Sequence, residues 1–332
     1  SWGCEQNRSS MIAIRDIGIG AKPFGFDHRL SDLERLLANY QQAGFRLVEL
    51  NPAWLGLILA GELQVRRAED VLSVLRNFDL RHSVHGIDRL NLAYDPRHEL
   101  ARSIMLAQIE FCRRIGARTL VYHSGLQALD DARRGVRLSL LSDEELAEGA
   151  AREVAAFRAI APIAAEAGVT IGVENGDPHL WEYTVLEKFG VPRQALVKHH
   201  ARLRVGPIVR QLEAIDHPNV GLTLDVAHLH LAAHEVGFDY LEAVGQAAPW
   251  VRHLHVNDNF GRLDRGVDSE MDRWAFGEAD LHLPPGWGRI PFREVFARLP
   301  DYQGDLILEI KPGFHDHLPE SLANTRKFLT VT

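Results

Sequence analysis

Residues 168–174 read Gly168-Val169-Thr170-Ile171-Gly172-Val173-Glu174, a short β-branched and apolar run that is typical of a buried strand. The preceding residues, 143–167, have the apolar periodicity of an amphipathic helix. Gly168 stands between the two, where a helix commonly ends on a residue in the left-handed conformation. Gly44 and Gly116 hold the same place before two other apolar runs, so the chain repeats a helix–glycine–strand unit. Strands that alternate with helices predict a parallel sheet.

Eight such strands are predicted along the chain, and eight is the number that closes a parallel barrel. They cover Ile12–Ile19, Arg46–Leu50, Leu80–His85, Thr119–His123, Val169–Glu174, Val220–Asp225, Val251–Val256 and Asp305–Ile310. Helices are predicted at Leu30–Ala43, Arg66–Phe78, His98–Ile115, Asp143–Ala167, Phe238–Ala247, Pro291–Leu299 and Pro319–Leu329. An open, doubly wound sheet is the competing architecture, but no Gly-x-Gly-x-x-Gly turn follows the first strand. We therefore predict an α/β fold, a single (β/α)8 TIM barrel over residues 11–332, with residues 1–10 as a flexible N-terminal tail.

The composition is that of an ordinary globular protein, with 332 residues of which 46% are hydrophobic and 25% charged. No apolar run approaches the length of a transmembrane helix, so no membrane partner is expected. The net charge of −8 gives no support to a nucleic-acid partner, because such proteins usually present a basic face to the phosphates. Cys4 and Cys112 form no disulfide framework, and the first eight residues lack the apolar core of a signal peptide. We therefore expect a cytoplasmic protein, and we leave open whether it forms a homo-oligomer.

Two of the predicted connections are longer than a barrel requires. They follow strands five and seven and run from Glu174 to Asp225 and from His255 to Glu309. Loops that follow barrel strands lie on the catalytic face, and unusually long loops in a compact domain are often functional. We expect both connections to lie over a site.

The predicted strands end on acidic or imidazole side chains. Successive strand residues point in opposite directions, so in Gly172-Val173-Glu174 the valine faces the helices and Glu174 faces the barrel axis. The same alternation turns six strand-end residues inward at the face where barrels carry out chemistry, namely His85, His123, Glu174, Asp225, His255 and Glu309. His228, Asp280 and His282 lie in the chain just beyond these ends, and His253 lies one inward step deeper as a supporting residue.

Each of these side chains alone could be an ordinary buried polar residue or an ion-pair partner. Taken together, several carboxylates around one axis repel each other unless they are protonated or bound to cations. Imidazoles placed among them supply the mixed nitrogen and oxygen donors that Zn, Mn, Fe or Co accepts. The set therefore predicts a divalent metal site of one to three ions.

The order of these motifs resembles the xylose isomerase-like TIM-barrel superfamily, which includes sugar and sugar-phosphate isomerases and epimerases as well as endonuclease IV. The resemblance rests on Glu174-Asn175, Leu224-Asp225-Val226-Ala227-His228, His253-Leu254-His255-Val256-Asn257-Asp258 and Leu308-Glu309. The epimerase-like branch implies a single metal held by Glu174, Asp225, His255 and Glu309, with His228 touching the substrate. The endonuclease IV branch implies a three-metal cluster whose further ligands match His85, His123, His228, Asp280 and His282.

The substrate implied by the resemblance is a small carbohydrate rather than DNA. Endonuclease IV wedges an aromatic–aliphatic pair into the DNA after its third strand, whereas this chain has Asp88 and Arg89 there. An acidic residue at that place would face phosphates unfavourably. The loop around Trp287 and Arg289 is similar to that of sugar-phosphate isomerase-like members. We expect Asn175, Trp287 and Arg289 to contact the substrate.

Two mechanisms and one non-catalytic alternative follow. In the first, Glu174 and Glu309 exchange protons with the two faces of an enediolate, while a metal polarises the carbonyl of a sugar, polyol or sugar phosphate. In the second, a multinuclear centre bridged by Glu174 hydrolyses a phosphodiester or phosphoester. The nine-residue ligand set favours hydrolysis, while the absent wedge and the loops favour isomerisation, which we predict. A metal-dependent binding module without turnover is the third alternative.

Overall fold

The computed structural model describes residues 12–21, 29–267 and 269–330, which form a closed barrel of eight parallel strands. The strands are β1 (Ile17–Gly20), β2 (Leu47–Leu50), β3 (Arg81–His85), β4 (Thr119–His123), β5 (Thr170–Glu174), β6 (Val220–Asp225), β7 (Val251–Val256) and β8 (Leu306–Leu308). Each strand pairs with its neighbour in sequence, and β8 pairs with β1 to close the ring. The predicted (β/α)8 barrel is therefore confirmed. The predicted tail, residues 1–10, lies outside the described residues.

Helices surround this barrel. They are α1 (Leu30–Gln42), α2 (Val65–Leu75), α3 (His98–Ile115), α4 (Asp130–Arg133), α5 (Asp143–Glu166), α6 (Leu180–Lys188), α7 (Leu196–His199), α8 (Val205–Ile215), α9 (Val226–Val236), α10 (Tyr240–Ala247), α11 (Glu270–Phe276), α12 (Phe292–Ala297) and α13 (Leu318–Leu329). A hairpin of Ile58–Leu59 with Glu62–Leu63 and 3₁₀ turns at Arg193–Ala195, Ala201–Leu203, Ala248–Trp250 and Pro312–His317 complete the described elements. None of the described helices has both the length and the apolar character needed to cross a membrane.

Helix α5 shows how the local sequence sets these elements. Ser142 caps its start, since the Ser142 Oγ accepts a hydrogen bond from the Glu145 backbone and Glu145 Oε2 accepts one from the Ser142 backbone. Phe157 and Ile160 lie fully buried on its inner face. The helix ends just before Gly168, which has the left-handed φ of +72° that its position predicted. Strand β5 can therefore begin two residues later at a fixed angle to the helix.

The predicted alternation along the strands holds in the structure. Val173, Leu224 and Leu254 are buried in the apolar layer between strands and helices. Their neighbours point the other way, toward the barrel axis, where Thr223 and His253 are fully buried. The hydrophobic core therefore lies outside the strands, and the polar strand residues are directed into the barrel.

The two long connections contain further secondary structure and fixed turns. Between β5 and β6, helices α6 and α7 precede the barrel helix α8, and a bridge joins His200 to Gln127 in the loop after β4. Between β7 and β8, the carboxylate of Asp258 accepts hydrogen bonds from the backbones of Gly286, Gly288 and Ile290 at 2.8–3.1 Å. A single buried acid thus fixes the Pro-Pro-Gly-Trp loop at the rim of the barrel.

At the opposite end of the barrel, Asp305 holds the first and third strands to the last. Arg15 Nε donates to its Oδ1 at 2.9 Å, and Arg81 Nη2 donates to its Oδ2 at 3.0 Å. The Asp305 side chain is only 4% exposed, while the two arginines are 46% and 42% exposed. Burial alone would raise the pKa of Asp305, but the hydrogen bonds from Arg15 and Arg81 hold it below its ordinary value of 3.8.

Replacing Asp305 with Asn should lower the free energy of unfolding by about 1–2 kcal/mol at neutral pH, since charge-assisted hydrogen bonds are lost but both partners are partly solvated. Because the native pKa lies below the unfolded one, this stabilisation is complete above pH 3.8 and is lost as the pH falls through the native pKa. Urea unfolding at pH 7 and at acidic pH checks both points. Asp79→Asn, at a carboxylate that is 93% exposed, is the control. Equal stability of wild type and Asp305→Asn at pH 7 would contradict the assignment.

Candidate metal centre

Four of the predicted site residues converge where strands β5 to β8 end. Glu174 and Asp225 are the last residues of β5 and β6, His255 lies in β7, and Glu309 directly follows β8. Asp225 and His255 are direct partners across the β6–β7 pair. His255 Nδ1 lies 2.8 Å from Glu174 Oε1 and 3.9 Å from Glu309 Oε1. None of the four is more than 6% exposed, so this is a buried charged cluster.

Asp225 has two roles at the junction of β6 and α9. Its Oδ1 accepts hydrogen bonds from the backbones of Ala227 and His228 at 2.8 and 2.7 Å, and so caps the helix. Its Oδ2 lies 3.7 Å from His228 Nε2. Asn175 supports this turn, because its side-chain amide exchanges hydrogen bonds of 3.0 and 2.9 Å with the Asp225 backbone. The backbone carbonyl of Asn175 also accepts a hydrogen bond from His228 Nδ1 at 3.0 Å, which leaves Nε2 of that ring facing the cluster.

His85 and His123 approach Glu174 from the ends of β3 and β4. His123 Nε2 lies 3.0 Å and His85 Nε2 3.8 Å from Glu174 Oε2. The two rings stand edge to face with their centroids 5.0 Å apart. His85 Nδ1 donates to the Gly86 carbonyl at 2.9 Å, so its Nε2 lone pair is directed toward Glu174. One carboxylate oxygen thus faces two imidazoles.

Asp280 and His282 complete the group from the loop after β7. His282 Nε2 lies 2.5 Å from Asp280 Oδ2, and the same oxygen lies 3.5 Å from His228 Nε2. His282 Nδ1 donates to the backbone carbonyl of Glu309 at 2.9 Å. The structure therefore brings all nine residues that the sequence analysis proposed as ligands to the same rim of the barrel.

The chemistry of this group fits divalent cations. Asp225 Oδ2 and Asp280 Oδ1 are buried and accept no hydrogen bond from the described part of the chain. A buried carboxylate oxygen without a partner is costly, and a cation removes that cost. Donor atoms within 4.8 Å of one another occur in overlapping sets, which are His85–His255–Glu309, His85–His123–Glu174 and Glu174–Asp225–His228. These mixed imidazole and carboxylate sets suit Zn, Mn, Fe or Co.

The local electrostatics also favours cations. Burial, together with the nearby charges of Glu174 and Asp280, raises the pKa of Asp225 to about 7. Burial alone would also raise the pKa of Glu174, but His255 and His123 hold it well below its ordinary range. Carboxylates of this cluster thus depend on positive neighbours to remain ionised, and a metal ion would supply that charge.

Sequence analysis missed Glu49, which lies on β2 beneath the cluster and is 2% exposed. Its Oε1 accepts a hydrogen bond from His255 Nε2 at 2.8 Å. Its Oε2 accepts one from His253 Nε2 at 2.8 Å and one from the Ser83 hydroxyl at 2.8 Å. A metal-binding imidazole commonly donates its other nitrogen to a carboxylate, which fixes the ring and the tautomer. The signal was present in the sequence, because an acid in Leu47-Val48-Glu49-Leu50 interrupts an otherwise apolar strand.

A cavity of about 280 Å³ opens above the cluster. Several of the proposed ligands line it, and Trp54 and Lys311, which the sequence analysis did not single out, line it as well. Trp287 and Arg289 are not among the described residues that line it. The Trp287 indole instead donates to Glu320 Oε1 at 2.8 Å, and the Arg289 side chain is exposed. A substrate in this cavity would reach those two residues only if it extended past the rim.

Glu49→Gln should weaken metal binding by about 10- to 100-fold, because an amide holds the His255 imidazole less firmly and removes a charge from the site. Competition with a chromophoric chelator measures the affinity for Zn²⁺ and Mn²⁺. Asp305→Asn, at the other end of the barrel, controls for general destabilisation and should keep the wild-type affinity. Unchanged affinity in Glu49→Gln would show that Glu49 does not support the site.

Comparisons with known proteins agree with this geometry. Residues 37–330 match the family described as xylose isomerase-like TIM barrel. Among solved structures, a D-tagatose 3-epimerase-like protein is 17% identical with a TM-score of 0.64, covering 95% of this chain and 100% of its own. The 3-keto-D-glucoside 4-epimerase of E. coli is 16% identical with a TM-score of 0.61 and coverages of 94% and 99%.

A third structure, the IolI protein with a bound zinc atom, is 14% identical with a TM-score of 0.60, covering 94% of this chain and 96% of its own. No curated protein sequence is significantly similar to this chain. The likeness to these structures establishes the shared fold, and the family match covers most of the barrel. The resemblance found in the motifs is thus confirmed, and the chain belongs to the xylose isomerase-like TIM barrel family.

Proposed function

We propose that this protein is a divalent-metal-dependent isomerase or epimerase of a small sugar, polyol or sugar phosphate. The observation that carries the proposal is the placement of Glu174 and Glu309. Their carboxylates approach the same nitrogen of His255 from β5 and β8, and both line the cavity of about 280 Å³. Two carboxylates in one small cavity allow one to remove a proton from a substrate carbon and the other to return one to the opposite face. The sugar epimerases among the structural neighbours support this choice.

Glu174, Asp225, His255 and Glu309 would hold the catalytic metal, and the wider set admits up to three ions. A bound divalent cation would polarise the carbonyl of a keto sugar and acidify the adjacent C–H bond. The structure of the IolI protein has a bound zinc atom, which supports zinc among the candidate metals Zn, Mn, Fe and Co.

The remaining roles in the proposed reaction belong to side chains of the protein. Glu174 takes a proton from the carbon beside the carbonyl, and Glu309 returns one to the opposite face of the resulting enediolate. His228, whose Nε2 faces the cluster, contacts a substrate hydroxyl. Asn175 fixes the Asp225–His228 turn through its hydrogen bonds. Trp287 and Arg289 would contact the part of a longer substrate that leaves the cavity.

Glu174→Gln should reduce kcat by about 10²-fold or more, because it removes a proton-transferring group while conserving shape. The measurement is conversion of a panel of keto sugars by the metal-loaded protein in D₂O, which also records deuterium incorporation at the epimerised carbon. Glu144→Gln, at an exposed residue in the first turn of α5, is the control. A kcat near wild type on the converted sugar would place the chemistry elsewhere, and metal binding without turnover of any sugar or phosphoester would favour a binding module.

A second candidate is an endonuclease IV-like hydrolase of phosphodiesters or phosphoesters. The observation that favours it is the gathering of nine ligand-type side chains at one rim, seven of which fall into overlapping donor sets. Against it stands Asp88, whose side chain is 59% exposed and lies 3.4 Å from His85 Nδ1, where DNA phosphates would approach.

Abasic duplex DNA distinguishes the two candidates. The metal-loaded protein should bind such a duplex weakly and leave it uncut at low salt, where phosphate attraction is strongest. A gel assay of strand incision, with chelator-treated protein as the blank, checks this. Efficient metal-dependent incision would replace the isomerase proposal with the endonuclease one.

A further inference from the structure

A second and larger cavity adjoins the metal centre. It has a volume of about 470 Å³ and shares Asp88 and His123 with the first cavity. Its other walls come from the loops after β3, β4 and β5, and the last two contribute Arg133, His179 and Arg202. A ligand held at the metal centre can therefore extend past His123 into this space.

The wall near Arg202 is tied together by backbone hydrogen bonds. Ala128 donates to the His199 carbonyl at 2.8 Å, and Gly176 donates to the Arg202 carbonyl at 3.0 Å. A Cβ on Gly176 would stand 2.7 Å from Arg202 Nε, so the absence of a side chain there permits the arginine to approach. The loops after β4 and β5 thus fix the position of the Arg202 backbone at the cavity wall.

Buried neighbours orient the Arg202 guanidinium without neutralising it. Glu182 Oε1 lies 2.6 Å from His200 Nδ1, and Arg202 Nε donates to His200 Nε2 at 3.1 Å. Because Nε2 accepts this hydrogen bond, His200 is neutral with its proton on Nδ1, which agrees with the lowering of its pKa by burial. Arg202 Nη1 donates to the Ser124 carbonyl at 3.2 Å. Among the described residues no carboxylate lies within ion-pair distance of Arg202, so its charge is available to a ligand.

Two further cations line the same cavity. Arg133 lies over the Trp181 ring, 4.4 Å from its centroid, and makes no ion pair with any described carboxylate. Burial alone would lower the pKa of His179, but Asp177 and Glu182 raise it to about 9, so this imidazole is protonated at neutral pH. His179 also stands beside Trp181, with the ring centroids 6.0 Å apart. Asp177 Oδ2 lies 3.5 Å from His179 Nε2 and balances the charge of that imidazole, so the unpaired positive charge of this wall comes from Arg133 and Arg202.

Arginine partners or burial reduce the negative charge of most acidic side chains that line the cavity. Asp95 pairs with Arg97 at 2.6 Å, and Asp130 pairs with Arg134. Burial and the nearby Asp95 and Asp130 raise the pKa of Asp131, which weakens its charge. Asp88, the remaining acid, lies on the side of the metal centre, next to His85.

From this arrangement we propose that the second cavity binds an anionic group, a phosphate or a carboxylate, carried by the sugar whose reacting carbons lie at the metal centre. The inference rests on the proposed function and narrows its substrate to an acidic sugar or a sugar phosphate. Arg202 is the principal contact, since a guanidinium can bind either oxyanion through paired N–H donors, and Arg133 adds a second positive charge at the cavity wall.

Calorimetric titration at low ionic strength tests the subsite with inorganic phosphate, glucose 6-phosphate, glucuronate and glucose as probes. Each is titrated into the metal-loaded wild type and into Asp225→Ala, which lacks a metal ligand. Arg202→Gln should weaken binding of inorganic phosphate about tenfold or more in both backgrounds, as loss of a charge-assisted contact predicts. Arg133→Gln, at an exposed residue, should weaken it several-fold. Arg102→Gln, at an exposed residue of α3 that does not line the cavity, should bind as wild type does.

The outcomes separate the subsite from the catalytic proposal. Phosphate binding that persists in Asp225→Ala and falls in Arg202→Gln supports the subsite even if no sugar is converted, in which case only the proposed function fails. Tighter binding of glucose 6-phosphate than of glucuronate identifies the group as phosphate, and the reverse identifies it as carboxylate. The inference is overturned if neither binds better than glucose, if binding is lost in Asp225→Ala alone, or if neither Arg202→Gln nor Arg133→Gln differs from Arg102→Gln.

Discussion

The hydrogen-bonded chain from Glu49 through His255 to Glu174 is the interaction on which the rest of the site depends. It places one imidazole between two buried carboxylates, with 2.8 Å contacts on both ring nitrogens. Such a chain is stable only if every group keeps its partner, because a buried charge without one is expensive. The barrel meets this condition by keeping its apolar core outside the strands and directing polar residues along its axis. The cluster at the rim is therefore supported from below by the interior of the barrel rather than by its loops.

Much of the fold could be predicted from the sequence, because the apolar residues of strands and of helices recur with different periods. The eight β-branched runs and the glycines that precede three of them predicted the barrel, and the inward phase of Glu174, Asp225 and His255 predicted that these side chains would meet at one end of it. Short helices were missed where the pattern is brief, as in α7, or where a helix begins directly after a strand. Helix α9 is the second case, since its first residues belong to the Asp225–His228 motif.

The sequence could not show which distant residues contact each other in the folded protein. Glu49 and His255 are separated by most of the chain and meet only because β2 and β7 face each other across the barrel. The positive wall around Arg202 is a similar case. The stretch Lys198–Arg204 looks like a solvated basic segment in the sequence, whereas the structure buries His200 and turns Arg202 toward a cavity. The sequence shows that charged residues are present, but only the tertiary contacts determine which charges are neutralised by a partner.

The double use of Asp225 has a consequence for how this barrel tolerates change. One carboxylate oxygen caps α9 and the other faces the cluster, so two independent requirements fall on a single side chain. Asn and Ser can cap a helix, but neither supplies an anionic oxygen to the centre, and Glu places its carboxylate one methylene farther from the helix start. Aspartate is thus the one residue that meets both demands without moving the backbone. Helix α9 and the centre are coupled through it, so a cation drawn to the free oxygen also steadies the first turn of the helix that carries His228.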